Sequence, residues 1–401
     1  MKKIILITTG QPSCNPRIVK EADALQQAGF DVTVLYSFFI NWATESDKVL
    51  LKNVLWKYKM VGGSKNKSNF SFFFTRVRFK VNSLLNKYIG NNVLIAERAQ
   101  ARAFDELLNE AKKIKADWYI GHNLGSLPIV VKAAKYNNAK VGFDFEDYVR
   151  GEGHDIKTLD RIIFLENKYI PHLQYFSTAS NLITKTINEN HPQFKGIVTT
   201  LQNCFPLLQQ PLFKFKKESD KTLQLFWFSQ TIGINRGLEI LIKALNCLND
   251  TSIHLTLAGR SNEDILEYIK KNAGEMINNI HFAGIIQPEE LPLFSSTFDV
   301  GLAIELPVPF NRDICLTNKV FTYLLAGNAL ILSNTSMQSD FNDFYKVGEI
   351  FENENQIELQ QKILLYKNHN YLNKQKLYNY QLAGVTLNWE NESKKLIEIL
   401  K

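Results

Sequence analysis

Apolar and polar positions alternate along the chain with two periods, one typical of buried parallel strands and the other of amphipathic helices. Near the amino terminus, "KIILITT" predicts a strand, "PRIVKEADALQQAG" a helix that opens at a proline and closes at Gly29, and "DVTVLYS" a second strand. Because strand–helix–strand crossovers are right-handed and join parallel strands, this order predicts a parallel sheet.

The same alternation continues to about residue 203. The further strands predicted in this part are "ADWYIGHN", "KVGFDFED", "YFSTAS" and "GIVTTLQN". The helices between them are "SLPIVVKAAKYNN", "TLDRIIFLENKYIPHL" and "NLITKTINEN". This pattern is typical of a doubly wound α/β sheet.

The pattern breaks at "CFPLLQQPLFKFKKES", a linker with two prolines and several lysines, and then starts again. Strands are predicted at "TLQLFWFSQ", "IHLTLAG", "IHFAGI", "DVGLAIE" and "ALILS", with helices between them, and the chain from "LQQKILLYK" onward is predicted to be helical throughout. We therefore predict an α/β protein with two Rossmann-like domains, residues 1–205 and 206–380, and a helix in 381–401 that crosses back to the first domain. The two domains are expected to face each other across a cleft lined by the carboxyl ends of their strands.

Composition narrows the class of protein. A chain of 401 residues with 45% hydrophobic and 22% charged residues is typical of a soluble globular protein of two domains. The net charge of +7 suits a phosphate-bearing ligand or an anionic membrane surface, but no block of like charges or RNP motif points to nucleic acid. No apolar run reaches the roughly 18 residues of a membrane span.

The cysteines and the amino terminus indicate a cytoplasmic protein. Cys14, Cys204, Cys247 and Cys315 are far apart and form no metal-binding spacing, which favours a reducing compartment without a structural metal. The first apolar run is only as long as a strand, so we expect no signal peptide. The loop "TTGQPSCNPR" lacks G-x-G-x-x-G, and no nicotinamide or flavin cofactor is predicted.

Two helix starts in the second half carry cations. In "TIGINRGLEIL", Gly233 and Gly237 allow close backbone approach, and Arg236 lies at the amino end of a helix, which favours anions. Lys319 lies at the start of another helix in "NKVFTYLLAGNALILS". If both strands end at the same edge, the two cations can bind one diphosphate; the alternative for Arg236 is simple solvation.

The second half resembles the donor domain of GT-B glycosyltransferases of family 4, the bacterial surface-polysaccharide type. The motifs are "FWFSQTIGINRGLEILIKAL", "IHLTLAGR", "NIHFAGIIQPEELPLFSSTFDVGLAI" and "TNKVFTYLLAGNALILS", in that order. The first half agrees more loosely, through "NPRIVKEADALQQAGFDVTVL" and "VGFDFEDYVRGE" among others. The resemblance implies a retaining, metal-independent transfer of sugar from a nucleotide-sugar, with UDP expected, to a glycan or lipid-linked acceptor.

The resemblance also implies which residues bind the donor. Arg236 and Lys319 would hold the diphosphate, Gly237 would let the helix start approach it, and two loops would border the base. The donor-binding residues implied are Gln230, Arg236, Gly237, Gly259, Arg260, Ile285, Ile286, Asn318, Lys319 and Thr322.

The chain departs from the family pattern at the phosphate loop and the glutamate pair. Gln230 and Thr231 stand where the family often has glycine and arginine, and Ile314 and Thr322 replace two glutamates eight positions apart. Thr322 keeps a hydroxyl but loses the charge, which predicts a weaker or differently held nucleotide. Nearby Glu305 and Asp313 could substitute, with solvated loop acids as the alternative; we take Glu305 as a candidate catalytic residue.

The first half offers candidates at strand ends. His122 ends "ADWYIGHN" and is a candidate catalytic group, the alternative being a histidine that fills a turn. Glu146 and Asp147 follow "VGFDF" and could bind acceptor hydroxyls or act as base, unless they form local salt bridges near Arg150. Arg17 is a further acceptor-binding candidate, with solvent exposure as its alternative.

One segment lies outside this scheme. Residues 69–89, "NFSFFFTRVRFKVNSLLNKYI", interleave aromatic and basic residues. They could form an amphipathic helix on the anionic inner face of the plasma membrane, which would suit a lipid-linked acceptor. A helix packed into the core is equally compatible. Two other functions also stay open: a sugar-nucleotide or glycan-binding protein without turnover, and a sugar-nucleotide epimerase.

Overall fold

The computed structural model describes residues 1–65 and 69–401. The chain divides into two compact units. The first comprises residues 1–202 and 393–401, and the second comprises residues 203–392.

Within its described residues, the first unit contains a seven-stranded parallel sheet. Its strands are β1 (Lys3–Thr8), β2 (Asp31–Ser37), β3 (Lys57–Val61), β4 (Trp118–His122), β5 (Lys140–Phe145), β6 (Tyr175–Thr178) and β7 (Ile197–Thr200). Their order is β3-β2-β1-β4-β5-β6-β7, so the chain changes direction across the sheet between β1 and β4. Ligands of open α/β sheets bind at this switch point, beyond the carboxyl ends of the strands.

The described residues between β1 and β7 also form α-helices. They are α1 (Pro16–Gln27), α2 (Asn41–Leu50), α3 (Asn69–Ile89), α4 (Val93–Gln100), α5 (Phe104–Lys113), α6 (Leu127–Asn137), α7 (Ile156–Tyr169) and α8 (Asn181–Asn190). The Asn15 side chain accepts a 3.1 Å hydrogen bond from the Ile18 N–H and so caps α1, the first α-helix after β1. This cap fixes the first turn of α1 at the switch point.

The second unit, all of whose residues are described, contains a six-stranded parallel sheet. Its strands are β8 (Leu223–Thr231), β9 (Ile253–Arg260), β10 (Ile280–Gly284), β11 (Val300–Ala303), β12 (Ala329–Ser333) and β13 (Gly348–Phe351). The order β10-β9-β8-β11-β12-β13 places the switch point between β8 and β11. Both sheets are parallel and doubly wound, so the predicted α/β fold class is confirmed.

The helices of the second half follow the predicted alternation. They are α9 (Leu238–Leu248), α10 (Glu263–Asn272), α11 (Leu291–Ser295), α12 (Phe310–Ile314), α13 (Asn318–Ala326), α14 (Ser336–Tyr345), α15 (Gln356–Leu365), α16 (His369–Val385) and α17 (Trp389–Leu400). α13 ends at Gly327, which has a left-handed φ of 74°, and buried β12 follows. The helix predicted to start near Lys319 and the strand predicted at "ALILS" are therefore both present, with a glycine between them.

The carboxyl-terminal segment differs from the single helical run expected from the sequence. It forms three helices, α15 to α17, with breaks at residues 366–368 and 386–388. Residues of α17 from Ser393 onward belong to the first unit, where Leu396 and Leu400 join its core with Ile4 and Val32. In the described part of the chain, no helix has the length and hydropathy needed to span a membrane.

Candidate functional site

The candidate donor site lies at the switch point of the second sheet. Three segments meet there: the loop between β8 and α9, the residues after β11, and the first turn of α13. The Arg312 guanidinium donates a 2.9 Å hydrogen bond to the Asn235 carbonyl, which ties α12 to the β8–α9 loop. Segments that are distant in the sequence thus form one surface of the second unit.

A buried ion pair joins two of these segments, the residues after β11 and the first turn of α13. The Lys319 ammonium donates a hydrogen bond to the Glu305 carboxylate, and only 6% and 3% of the two residues are exposed. The same ammonium lies 5.2 Å from the ring centroid of Trp227, within cation–π range. The Glu305 N–H donates a 2.7 Å bond to the Ser333 hydroxyl, which fixes the segment after β11. Lys319 is thus held in one place by a carboxylate and an indole face.

The amino end of α9 adds a second positive element. Gly237 precedes the helix with φ 77° and provides no side-chain cap, so the first-turn N–H groups have no side-chain acceptor from the capping position. A Cβ at Gly237 would lie 2.3 Å from Cγ2 of buried Ile304, so only glycine lets the loop pack this closely on the segment after β11. Arg236 stands next to it and is half-buried. The arrangement can accept an anion through backbone N–H groups and a guanidinium.

The two segments expected to border the base lie at the ends of neighbouring strands β9 and β10, and the donor-binding candidate Gln230 lies near the end of the adjacent β8. Gln230 is exposed near the end of β8, and Arg260 is exposed at the end of β9. Ile285 is exposed and Ile286 half-buried directly after β10. Gly259, at φ 141°, allows β9 to pass Ser229, whose carbonyl oxygen would lie 2.2 Å from an added Cβ. The structure groups these residues along one sheet edge; their contact with a base stays a prediction.

The polar groups in the first turn of α13 form hydrogen bonds to other residues of the second unit. Asn318 Oδ1 accepts a 2.7 Å hydrogen bond from Asn203, and the Asn318 carbonyl accepts a 3.0 Å bond from the Thr322 hydroxyl. Thr322 is fully buried and Ile314 is 4% exposed. Asp313 accepts bonds of 2.9 Å and 2.6 Å from the backbone and hydroxyl of Ser336. Of the two acids considered as substitutes, only Glu305 lies against Lys319.

The first unit holds a buried polar network at its own switch point. The Arg17 guanidinium donates bonds of 2.7 Å and 2.8 Å to the two oxygens of Asp144 and a 2.7 Å bond to the Leu201 carbonyl. Nε2 of His122 lies 3.2 Å from Glu21, and its Nδ1 lies 3.7 Å from Asp144. None of the four side chains is more than 1% exposed. The alternative that Arg17 is solvent-exposed is wrong, and a direct contact with an acceptor would require this network to open.

Charge interactions shift the titration of this network. Burial lowers the pKa of His122, but the carboxylates of Glu21 and Asp144 outweigh it, so the net shift is upward. Burial raises the pKa of Asp144, but the adjacent Arg17 charge and then His122 reverse this, so it is lowered. The histidine and Asp144 are therefore favoured in their charged forms.

The same cluster has the spacing of a metal site. One ligand atom each from Glu21, His122 and Asp144 fall within 4.8 Å of one another. Arg17, however, is bonded to both Asp144 oxygens and lies 3.6 Å from Glu21, so its positive charge already occupies the place of a cation. A divalent ion would have to displace the guanidinium, and the cluster is better described as an ion-pair network.

Glu146 and Asp147 follow β5 on the same carboxyl edge and are half-buried. Burial, and then the neighbouring charge of Asp147, raise the pKa of Glu146 to about 7. Arg150 is bonded to Glu166 and lies 3.0 Å from His191. Because its pKa is raised to about 7, the Glu146 carboxyl can exchange a proton near neutral pH.

Three important residues were not identified from the sequence. Glu21 lies one helical turn after Arg17, a spacing that could have suggested a pair. Asp144 interrupts the apolar run "VGFDF", and a charge inside a buried strand indicates a buried partner. Trp227 lies in a continuous apolar run and gave no signal beyond burial.

Comparisons with known proteins match the fold. No protein-family model and no curated protein matches the chain. A solved structure of HepE (Alr3699) from Anabaena in complex with UDP is similar with a TM-score of 0.69 at 13% identity, covering 100% of this chain and 99% of that one. Sucrose-phosphate synthase from Thermosynechococcus elongatus gives a TM-score of 0.69 at 11% identity, covering 100% and 98%.

A third similar structure is that of a TarM mutant from S. aureus in complex with fondaparinux, α-GlcNAc-glycerol and UDP. Its TM-score is 0.68 at 12% identity, covering 100% of both chains. HepE has also been solved with UDP-glucose. These neighbours are GT-B glycosyltransferases, and the likeness over the full length shows that this chain has the GT-B fold.

Proposed function

We propose that this protein is a glycosyltransferase that moves a sugar from a nucleotide-sugar, with UDP as the nucleotide, to a glycan or lipid-linked acceptor. The observation that carries the proposal is the buried Lys319 ammonium at the switch point of the second sheet. It is bonded to Glu305, and the neighbouring Ile304 packs against Gly237 at the amino end of α9. Similar structures of the same fold, those of HepE and TarM, contain UDP, which supports this choice of nucleotide.

In the proposed reaction, the bond between the anomeric carbon and the diphosphate oxygen breaks and a bond to the acceptor oxygen forms. The negative charge that develops on the departing diphosphate is stabilised by Lys319, by Arg236 and by the N–H groups at the start of α9. Glu305 and Trp227 position the lysine. These cations take the role that a metal ion has elsewhere, so we propose a metal-independent reaction.

We propose that the acceptor binds to the first unit. Glu146, whose pKa is raised to about 7, and Asp147 would bind the acceptor hydroxyl, and its proton would pass to a diphosphate oxygen or to Glu146. His122 would contact the donor sugar or the acceptor, and Arg17 would position it through Asp144. Retention of configuration and membership of family 4 are part of the proposal, on the strength of the sequence motifs.

The proposed setting is the biosynthesis of cell-surface polysaccharide. The enzyme would work in the cytoplasm, with peripheral attachment to the inner face of the plasma membrane when the acceptor is carried on a lipid. The mildly basic net charge of +7 supports this attachment.

Release of UDP from a panel of UDP-sugars, measured with and without candidate acceptors, tests the proposal. Melting temperatures measured with the same panel first identify the donor, because a bound ligand stabilises the folded state. Arg236→Ala and Lys319→Ala should abolish acceptor-dependent UDP release, whereas Lys243→Gln, an exposed cation of α9, should leave it unchanged. Full turnover in both alanine variants would rule out this mechanism.

A second candidate, a nucleotide-sugar or glycan-binding protein without turnover, is favoured by one observation. Thr322 and Ile314 replace the two family glutamates and are buried, and the Thr322 hydroxyl is bonded inside its own helix. Isothermal titration separates the two functions. Donor binding without UDP release, in the presence of acceptors that serve related enzymes, would favour the binding protein.

A further inference from the structure

Helix α3 exposes a continuous apolar face. Phe70 is 85% exposed, Tyr88 is 80% exposed, and six apolar residues between them are also exposed. At about 100° per residue, the whole set falls within an arc of about 120°. The set is Phe70, Phe73, Phe74, Val77, Val81, Leu84, Leu85 and Tyr88. The alternative that the whole helix packs into the core is therefore wrong for this face.

The opposite side of α3 is fastened to the first unit. The hydroxyl of buried Thr75 contacts the Gly62 carbonyl at 3.4 Å and accepts a 2.5 Å bond from Arg102. Phe72 packs edge-on against Phe38 with ring centroids 5.4 Å apart. Asn86, also buried, accepts a 3.3 Å bond from the Arg161 guanidinium of α7. With one side fixed, the apolar face is held outward and not free to turn inward.

Basic residues line one edge of this face. Arg76, Lys80 and Lys87 are exposed and fall side by side on the helical projection, next to Phe73 and Leu84. On the other edge, Arg78 is paired with Asp105 and Glu106. Residues 69–89 contain four cations and no acid.

We propose that α3 docks flat on an anionic phospholipid surface, with its apolar face among the acyl chains and Arg76, Lys80 and Lys87 at the headgroups. An outward apolar arc with a basic edge is the pattern of helices that lie in a membrane interface. At about 1.5 Å per residue the helix offers about 30 Å of such a face.

A second copy of the chain fits this face less well. A twofold contact pairs the same patch of both copies, so an antiparallel arrangement of the two α3 helices would bring the three edge cations of one close to those of the other. The helix contributes no acid to compensate them. Anionic lipid headgroups supply the opposite charge along the whole edge.

The docking would have a defined orientation. Gly62, which contacts Thr75, directly follows β3 at the carboxyl edge of the first sheet. His122 and Glu146 lie at the ends of β4 and β5 on this same edge. The helix therefore presents the carboxyl edge of the first sheet towards the lipid, which suits the membrane-borne acceptor proposed above, although the docking itself rests on α3 alone.

Flotation of the purified full-length protein with vesicles tests the proposal. The wild type should float with vesicles of phosphatidylcholine and phosphatidylglycerol, and much less with phosphatidylcholine alone. Phe73→Ser with Leu84→Ser should abolish flotation, whereas Phe344→Ser with Leu293→Ser, exposed residues of α14 and α11, should not. Circular dichroism and melting temperature show that each variant is folded.

A series of charge variants separates the contribution of the basic edge to lipid binding from that of the apolar face. Glutamine at Arg76, Lys80 and Lys87 should weaken binding to anionic vesicles about fivefold per residue replaced, and high salt should do the same. Glutamine at three exposed lysines elsewhere in the first unit, Lys135, Lys157 and Lys185, should weaken it far less.

Three results would overturn the docking. These are no flotation of the wild type with anionic vesicles, unchanged flotation of the α3 serine variant, and a wild-type dimer in sedimentation velocity that the serine variant dissociates. The last would assign the face to a second copy. The rise in melting temperature with UDP is measured on the same samples, so a failure of the docking is distinguished from a failure of nucleotide binding.

Discussion

The Lys319 ammonium and the Glu305 carboxylate form an ion pair that is almost completely removed from water. The two residues are 14 positions apart, one beyond the end of β11 and the other in the first turn of α13. Since a buried charge needs a partner, each residue accounts for the presence of the other. In the proposed mechanism, this pair therefore links stability to ligand binding.

Removal of one partner should destabilise the protein strongly. Lys319→Met leaves the Glu305 charge buried and uncompensated, which should lower the free energy of unfolding by about 3–5 kcal/mol in urea denaturation. The double variant Lys319→Met/Glu305→Gln removes both charges and should recover much of the loss. If the two substitutions were simply additive, the pair would carry no coupling and this account would be incorrect.

Arg236 should matter for binding and hardly for stability. Its side chain is half-buried on a loop, so Arg236→Gln should change the melting temperature little. A lost charge-assisted hydrogen bond of about 1.5–3 kcal/mol corresponds to a roughly 10- to 150-fold rise in the dissociation constant for UDP, measured by calorimetry. Lys243→Gln is the matched control on α9. An unchanged affinity in the Arg236 variant would remove this residue from the donor site.

Two glycines of one loop should respond differently to alanine. Gly237→Ala forces a left-handed φ of 77° on a residue with a side chain and places its Cβ 2.3 Å from Ile304. We expect a loss of stability of about 1–3 kcal/mol and weaker UDP binding, because the start of α9 must shift. At Gly233 an added Cβ meets no atom within 4 Å, so Gly233→Ala should be nearly neutral. Equal effects at both positions would contradict the close approach of this loop.

His122 should titrate above the usual range of histidine. The carboxylates of Glu21 and Asp144 raise its pKa against the effect of burial. Its contribution to stability is therefore present below the ordinary pKa and is lost as the pH rises through the raised one. In ring-proton NMR titrations, Glu21→Gln should shift the pKa of His122 downward. A wild-type pKa at or below the ordinary value would refute this description of the network.

Glu146 should make the protein less stable as the solution becomes neutral. Its pKa is raised from 4.5 to about 7, so the folded state holds a proton that the unfolded state releases. The stabilisation is complete below pH 4.5 and is lost as the pH rises through about 7. Compared with Glu146→Gln, the wild type should lose unfolding free energy over this range, on the order of 1 kcal/mol or more.

Urea denaturation at a series of pH values measures this difference. Glu189→Gln, at an exposed position of α8, is the control and should follow the wild type. Parallel curves for the wild type and Glu146→Gln would show that this carboxyl does not titrate in the expected range.

The interior strands were predictable because they are buried on both faces and read as continuous apolar runs. The two strands missed, β3 ("KYKMV") and β13 ("GEIF"), are both edge strands with partly exposed residues. An edge strand has one neighbour and more contact with water, so its sequence carries a weaker signal.

Residues at helix starts and strand ends could be identified from local pattern and resemblance, but their partners could not. Arg17 and Asp144 are 127 positions apart, and neither the predicted acceptor contact nor its alternative anticipated a fully buried guanidinium. The strand order of the first sheet places β1 beside β4, and α1 then brings Arg17 to β5. A local sequence pattern does not show which residues far apart in the chain come into contact.

The sequence by itself determined the alternation of strands and helices, the parallel winding of both sheets and the cations at two helix starts, because these depend on neighbours within a few positions. The tertiary structure decided which charges meet, as for Lys319 with Glu305, and which face of α3 is exposed. Those features depend on burial, and burial is set only when distant segments pack together and compete for the same interior.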